Sequence, residues 1–268
     1  MVLVLARTSM AQAEDPATLA THIMQQVASN QDAAQLDRAH YLYEQHVHVV
    51  VRRTNGKLAR DETTDLLVTP TASGTIKKEQ SISGRYRKKG QLLEYQREPV
   101  PDAEGLDYDL VHDFRRDLTD DDSKDGLAKD LFPLTTDGQK DLEFELAGEE
   151  GVGGRPAYRI RFRPADRSEI GWAGEALIDK AECQPVSVFT RLSKRIPLLV
   201  RTLLGTDLPG IGFSTRYQRV GENVWFPVSF GTEFRLRAVF FINRDISVSL
   251  ENSHFQRTDA NSTIHYSN

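Results

Sequence analysis

The residues that could do chemistry are few. His46 and His48 stand two apart in an alternating segment, so both imidazoles fall on one face of a strand, where a pair could share a metal. No third ligand follows at a useful spacing, so the pair reads as strand surface rather than a metal site. Cys183 is the only cysteine, which excludes an internal disulfide and a cysteine-rich zinc site. Its neighbours Asp179 and Glu182 would raise a nearby thiol's pKa, the wrong direction for a nucleophile. The run Asp120-Asp121-Asp122-Ser123-Lys124-Asp125-Gly126 starts like a calcium loop. The twelfth position from Asp121 is Phe132, where such a loop needs a bidentate carboxylate. The chain has no G-x-S-x-G elbow, no G-x-x-x-x-G-K-[ST] loop and no H-E-x-x-H helix. Gly151, Gly153 and Gly154 miss G-x-G-x-x-G because Pro156 takes the last glycine position. The expectation is a binding protein without catalytic residues, bound metal or cofactor; the alternative is an unrecognised enzyme, such as a hydrolase using two carboxylates.

The composition agrees. Of 268 residues 39% are hydrophobic and 27% charged, enough for a sizeable core, with a formal net charge of -5. No basic stripe is interleaved with aromatics, so no nucleic-acid partner is expected. No apolar run approaches the roughly 20 residues of a membrane helix. Lys77, Lys78, Arg85, Arg87 and Lys88 interrupt one strand where a membrane barrel would show a lipid-facing band. Residues 1–13 read MVLVLARTSMAQA. Ala11-Gln12-Ala13 has the form of a leader cleavage site after a short apolar stretch, which marks 1–13 as a truncated signal peptide and the protein as periplasmic. The plainer alternative is an ordinary polar N-terminus.

The elements that must position any site follow from periodicity. Asp15-Pro16 opens a helix, with Asp15 as cap and Pro16 at the first position. Leu19, Ile23, Met24 and Val27 share its face, Asn30-Gln31-Asp32 is expected to end it, and Ala33 to Ala39 to add a short helical turn. From Tyr41 the period becomes two: Tyr41, Tyr43, Val47, Val49 and Val51 on one side, Glu44, His46, His48 and Arg52 on the other. Asn55-Gly56 then predicts a hairpin. Further strands are expected over 58–69, 75–88 and 91–97. Residues 99–139 form an insertion whose stretch from Asp102 to Asp130 holds eleven acidic and four basic residues. Leu106, Leu110, Val111 and Phe114 predict a short helix within it. Strands resume over 142–148, 157–163, 175–179, 186–192, 212–220, 224–237 and 239–256, with turns at Gly151–Gly154, Gly221–Asn223 and near Asn243-Arg244-Asp245. Long strands joined by tight turns imply an antiparallel meander that curls into a barrel or half-barrel. Residues 258–268 read as a polar tail.

One stretch breaks the two-residue period. Residues 194–212 carry Ile196, Leu198, Leu199, Val200, Leu203, Leu204, Leu208 and Ile211 where a hairpin needs only two to five residues. Such a cluster is either a helix covering the open end of the core or a lid over an apolar cavity. The candidate ligand-binding residues are therefore Tyr43, Val47, Val49 and Val51 on the strand and Ile196, Leu199, Val200 and Leu203 on the cover.

A family resemblance rests on two blocks. Gly148-Glu149-Glu150 leads through Gly154-Arg155-Pro156-Ala157 to Tyr158–Phe162. Gly174-Glu175-Ala176-Leu177-Ile178-Asp179 leads to Gln184-Pro185-Val186. Together, as G-x-x-x-I-D-x-x-x-x-x-P-V here, they resemble the hairpin of the periplasmic lipoprotein-carrier superfamily (LolA/LolB-like, with RseB-type sensor domains). The resemblance implies one domain over 14–257. Its expected fold is α+β and predominantly antiparallel β, a curved half-barrel whose unclosed sheet has an N-terminal helix and inserted helices on its concave face. It also implies a lipid or lipoprotein acyl chain as ligand, with an envelope protein as an alternative partner for a sensor or scaffold using the same sheet, and a monomer. The acidic insertion departs from the carrier plan, and the carriers' functional arginine matches no residue here.

Overall fold

The structure, a computed structural model, describes residues 15–71, 74–96, 105–118, 132–168, 171–193, 206–207, 211–221, 224–238 and 242–258. The helix α1 spans Pro16–Arg38, with Pro16 at its start. Asp15 holds the cap position through its carbonyl, which accepts the Leu19 N–H at 2.9 Å; its side chain makes no cap bond. Ile23, Met24 and Val27 are buried, and Leu19 packs beside them.

The helix does not stop at Asn30-Gln31-Asp32. These polar residues are spent on tertiary bonds instead. Asn30 Nδ2 donates to the carbonyls of Glu182 and Cys183, each at 3.0 Å, and Gln31 Nε2 donates to Gln184 Oε1 at 2.6 Å. Buried Ala34 and Arg38 carry the helix face two turns further, because tertiary packing outweighs local propensity.

Eleven strands form one antiparallel sheet. They are β1 (Tyr41–Arg53), β2 (Leu58–Thr71), β3 (Gly74–Lys88), β4 (Gln91–Tyr95), β5 (Leu142–Val152), β6 (Arg155–Pro164), β7 (Trp172–Asp179), β8 (Pro185–Leu192), β10 (Gly212–Val220), β11 (Val224–Ala238) and β12 (Ile242–Arg257). Their order is β4-β3-β2-β1-β12-β11-β10-β8-β7-β6-β5, and β4 and β5 do not pair, so the sheet is not closed into a barrel. A two-residue strand, β9 (Thr206–Asp207), pairs with Ala238 and Arg237 at the end of β11. Part of the apolar segment 194–212 is thus strand, not helix. The helix α2 (Leu106–Leu118) lies within the acidic insertion, where the spacing of Leu110, Val111 and Phe114 placed it.

The Asn55-Gly56 hairpin forms with a loop one residue longer than the two-residue turn. Arg53 and Lys57 close it (Arg53 N to Lys57 O, 2.9 Å), and Gly56 takes φ +76°, the conformation glycine allows without strain. Asn243-Arg244-Asp245 is not a turn. These residues begin β12, opposite Arg237, Leu236 and Arg235. Their polarity suggested a loop, but Asp245 binds Arg235 across the outer face and Arg244 binds Asp107 of α2.

The two faces differ in kind. On the outer face of β5, β6 and β7, charges sit in columns: Glu143 meets Arg163 at 3.2 Å, Arg161 meets Glu175 at 3.6 Å, and Arg159 pairs with Glu150 and Glu175. Each exposed pair contributes little, but together they disfavour a slipped register. The inner face carries one apolar cluster that takes in β1, β2, β5, β6, β7, β8, β11, β12 and both helices. Gly174, on the inner side of β7, has no room for a side chain. An added Cβ would lie 1.8 Å from the Phe189 carbonyl oxygen and 2.8 Å from the Phe162 ring.

Candidate functional site

Strand alternation brings Tyr43, Val47, Val49 and Val51 to the inner face, each no more than 1% exposed. On one side they meet apolar partners from β12: Val47 opposite Leu250, Val49 opposite Val248, Val51 opposite Ile246. On the other side β2 places Thr64, Glu62 and Arg60 opposite the same valines. All three are buried. The inner face therefore changes from apolar to charged at the β1–β2 boundary. Ile196, Leu199, Val200 and Leu203 lie outside the described residues.

The helix α2 covers this boundary. Val111 is buried in the core cluster, with Leu110 and Phe114 against it, and the Phe114 ring meets Phe234 edge-on at 5.3 Å. A polar collar surrounds that contact. Arg115 donates to Glu62 at 2.8 Å, and the Tyr95 hydroxyl donates to the same carboxylate at 2.7 Å. Arg244 meets Asp107 at 2.5 Å. Tyr108 of α2 closes a box of three rings around the Arg60 guanidinium, at 5.0 Å from Tyr108, 5.4 Å from Tyr95 and 5.6 Å from Tyr86. Burial, reinforced by the Glu62 carboxylate, pushes the Tyr95 phenol well above its usual range, so it stays a donor at any physiological pH. Sequence reading missed Arg60 and Glu62 as inner-face groups. The signal was present: both are in phase with Leu66 and Val68.

A second feature opens further along the sheet. Ala17 and Thr21 of α1 stand over the starts of β5 and β7 and the ends of β6 and β8. They border a cleft of about 890 Å³ that reaches around this end of the sheet: Leu142, Phe144, Phe162 and Gly174 line it from the inner face, and Glu143, Glu145, Arg161, Arg163, Glu175, Phe189 and Arg191 from the outer face. This lies within the roughly 300–1,000 Å³ of small-molecule sites.

The residues of the resembling hairpin perform a structural task. Asp179 ends β7 with its side chain buried. It accepts the backbone N–H groups of Ala181 and Glu182 at 3.0 and 2.8 Å and binds Arg155 Nε at 2.6 Å. Burial opposes its charge, but Arg155 and these amides outweigh burial and hold the carboxyl below its usual range. The next turn holds α1 through Asn30 and Gln31. Glu182 adds bonds to Arg155 (2.5 Å) and to the Trp225 indole (2.8 Å). Arg38 Nε then donates to the Trp225 carbonyl at 2.8 Å. The motif is a latch between a strand turn and the helix.

The reactive-looking residues stay apart. His46 Nδ1 lies 2.6 Å from Asp65 Oδ1 on the outer face, and Ser81 donates to Asp65 Oδ2 at 2.6 Å. The serine thus bonds the carboxylate instead of the imidazole, so no base activates it. That serine bond, with help from His46, keeps Asp65 below the usual carboxylate range, although burial opposes it. Burial lowers His48. Cys183 sits in the β7–β8 turn at φ +47°, and burial, with Asp179 nearby, raises its thiol. Among the described residues no three His, Cys, Asp or Glu side chains converge on a metal position. Residues 119–131, which hold the acidic run, lie outside the described residues.

No protein-family model matches the sequence, and no curated protein does. Solved structures do. The chain is similar to a putative outer membrane lipoprotein-sorting protein domain from Vibrio parahaemolyticus, at 11% identity and TM-score 0.43, covering 92% of this chain and 95% of that one. It is similar to a DUF1329 family protein from Desulfovibrio piger, at 11% identity and TM-score 0.40, over 93% and 96%. A LolA superfamily protein from Nitrosomonas europaea gives 10% identity and TM-score 0.34, over 90% and 94%. At these identities and scores, the functional reading rests on the geometry of this chain.

Proposed function

We propose that this protein is an exported, non-catalytic carrier that holds a lipid or lipoprotein acyl chain against the inner face of its sheet. One observation carries the reading: an unclosed sheet holds on its inner face one apolar cluster, giving way to charge only on β2, that is covered among the described residues by two helices, and a cleft of about 890 Å³ opens beside α1. Covering an acyl chain there gains about 25 cal/mol for each Å² removed from water. The inner residues of the site are Tyr43, Val47, Val49 and Val51. The segment 194–205 supplies Ile196, Leu199, Val200 and Leu203 as a displaceable cover. Residues 1–13 act as the export leader, and the carrier works as a monomer in the periplasm.

The test is titration with a fluorescent fatty acid. The wild-type chain binds the probe. Leu199→Ser with Leu203→Ser changes the affinity while the β-sheet circular dichroism spectrum is retained. Unchanged binding means that the segment is no cover. Unfolding means that these leucines are ordinary core.

A further inference from the structure

The turns β1–β2, β3–β4 and β11–β12 fall on one rim of the sheet. The Arg87 side chain ties the first two, donating to the carbonyls of Leu58 (2.8 Å) and Gly90 (2.7 Å). Arg53 pairs in register with Arg244 near the start of β12, and Arg237 with Asn243. Arg52, Arg53, Lys57, Lys89 and Arg237 are exposed along this rim and carry no ion pair among the described residues. Of the carboxylates there, Asp61 is bound by Arg85, Asp107 by Arg244 and Asp245, which stands opposite Arg52, by Arg235. Glu94 stands opposite Arg85. Among the described residues, a chain of net charge -5 has thus gathered cations outside any ion pair on one edge. From Lys89 to Arg237 the row crosses about four strand spacings, roughly 19 Å. Leu92 and Leu93, 40% and 37% exposed, stand in β4 beside it.

We propose that this rim docks the protein on an anionic lipid bilayer. A row of cations with exposed leucines beside it fits a planar surface of charged headgroups over hydrocarbon better than it fits a soluble polyanion, which would leave the leucines in water. The cleft opens on the same rim, since β5 and β7 begin there and β6 and β8 end there. Docking therefore turns the cleft mouth toward the lipid. This deepens the carrier reading, yet the two fail separately: vesicle docking can be lost with fatty-acid binding intact, and the reverse.

The experiment is co-sedimentation of the full chain with vesicles of phosphatidylcholine containing 30% phosphatidylglycerol, against pure phosphatidylcholine. The wild type binds the anionic vesicles only and is released by 0.5 M salt. Arg52→Gln, Arg53→Gln, Lys57→Gln and Lys89→Gln combined weaken binding by at least about a hundredfold, since each charge is worth roughly fivefold. Lys180→Gln, in the β7–β8 turn at the opposite end of the sheet and paired with Glu149, leaves it unchanged. Equal binding to both vesicle types, or equal binding by the four-site variant, overturns the proposal. So does binding to heparin without binding to vesicles.

Discussion

At the residue scale, Asp179 shows how a sequence motif can be structural. Its carboxylate satisfies two turn amides and Arg155 from a buried position. Asp179→Asn keeps the shape and loses the charge, and hydrogen bonds to charged groups are worth about 1.5–3 kcal/mol. The variant should lose about 2 kcal/mol at pH 7 in urea denaturation. The sign of the pH dependence follows from the depressed folded-state pKa. The stabilisation is fully present above the unfolded value of about 3.9 and is lost as pH falls through the folded value. Wild type and variant should therefore converge in stability only below about pH 4. A constant gap down to pH 2 would mean that charge is not what Asp179 contributes. The motif was legible in sequence as a resemblance. Its task was not, because Asn30, Gln31, Arg38 and Trp225 meet the turn only through tertiary contacts.

At the element scale, the strands and the face of α1 were legible because alternation and helical spacing report burial directly. The failures share one cause. Asn30-Gln31-Asp32 and Asn243-Arg244-Asp245 look like chain breaks, yet each continues its element because its polar groups bond across the fold. The buried charges on β2 were missed for the converse reason: Arg60 and Glu62 look exposed until α2 covers them. That cover yields a prediction. Arg115→Met leaves Glu62 buried without its guanidinium and should destabilise the protein by about 3 kcal/mol, as for a broken buried pair. Adding Glu62→Gln should recover part of the loss, read from urea curves followed by tryptophan fluorescence. If the two substitutions simply add, the pair does not hold α2.

At the scale of the whole molecule, the open sheet is the property that matters. A closed barrel would bury its inner face permanently, whereas this one leaves β4 and β5 as edges that do not pair with each other, and helices cover its apolar cluster. In the proposed carrier, such covers yield to a ligand and the cleft beside α1 is its entry. The candidate valines of β1 were readable from alternation. The cleft was not, since its walls come from α1 and four strands distant in sequence. Native mass spectrometry of the protein, purified gently from the envelope of its host, tests the carrier reading most directly. The account predicts a monomer that retains lipid, seen as discrete added masses that are released at higher collision energy and identified as acyl-bearing molecules. A chain that is consistently lipid-free, or one that carries a second protein instead, would contradict it.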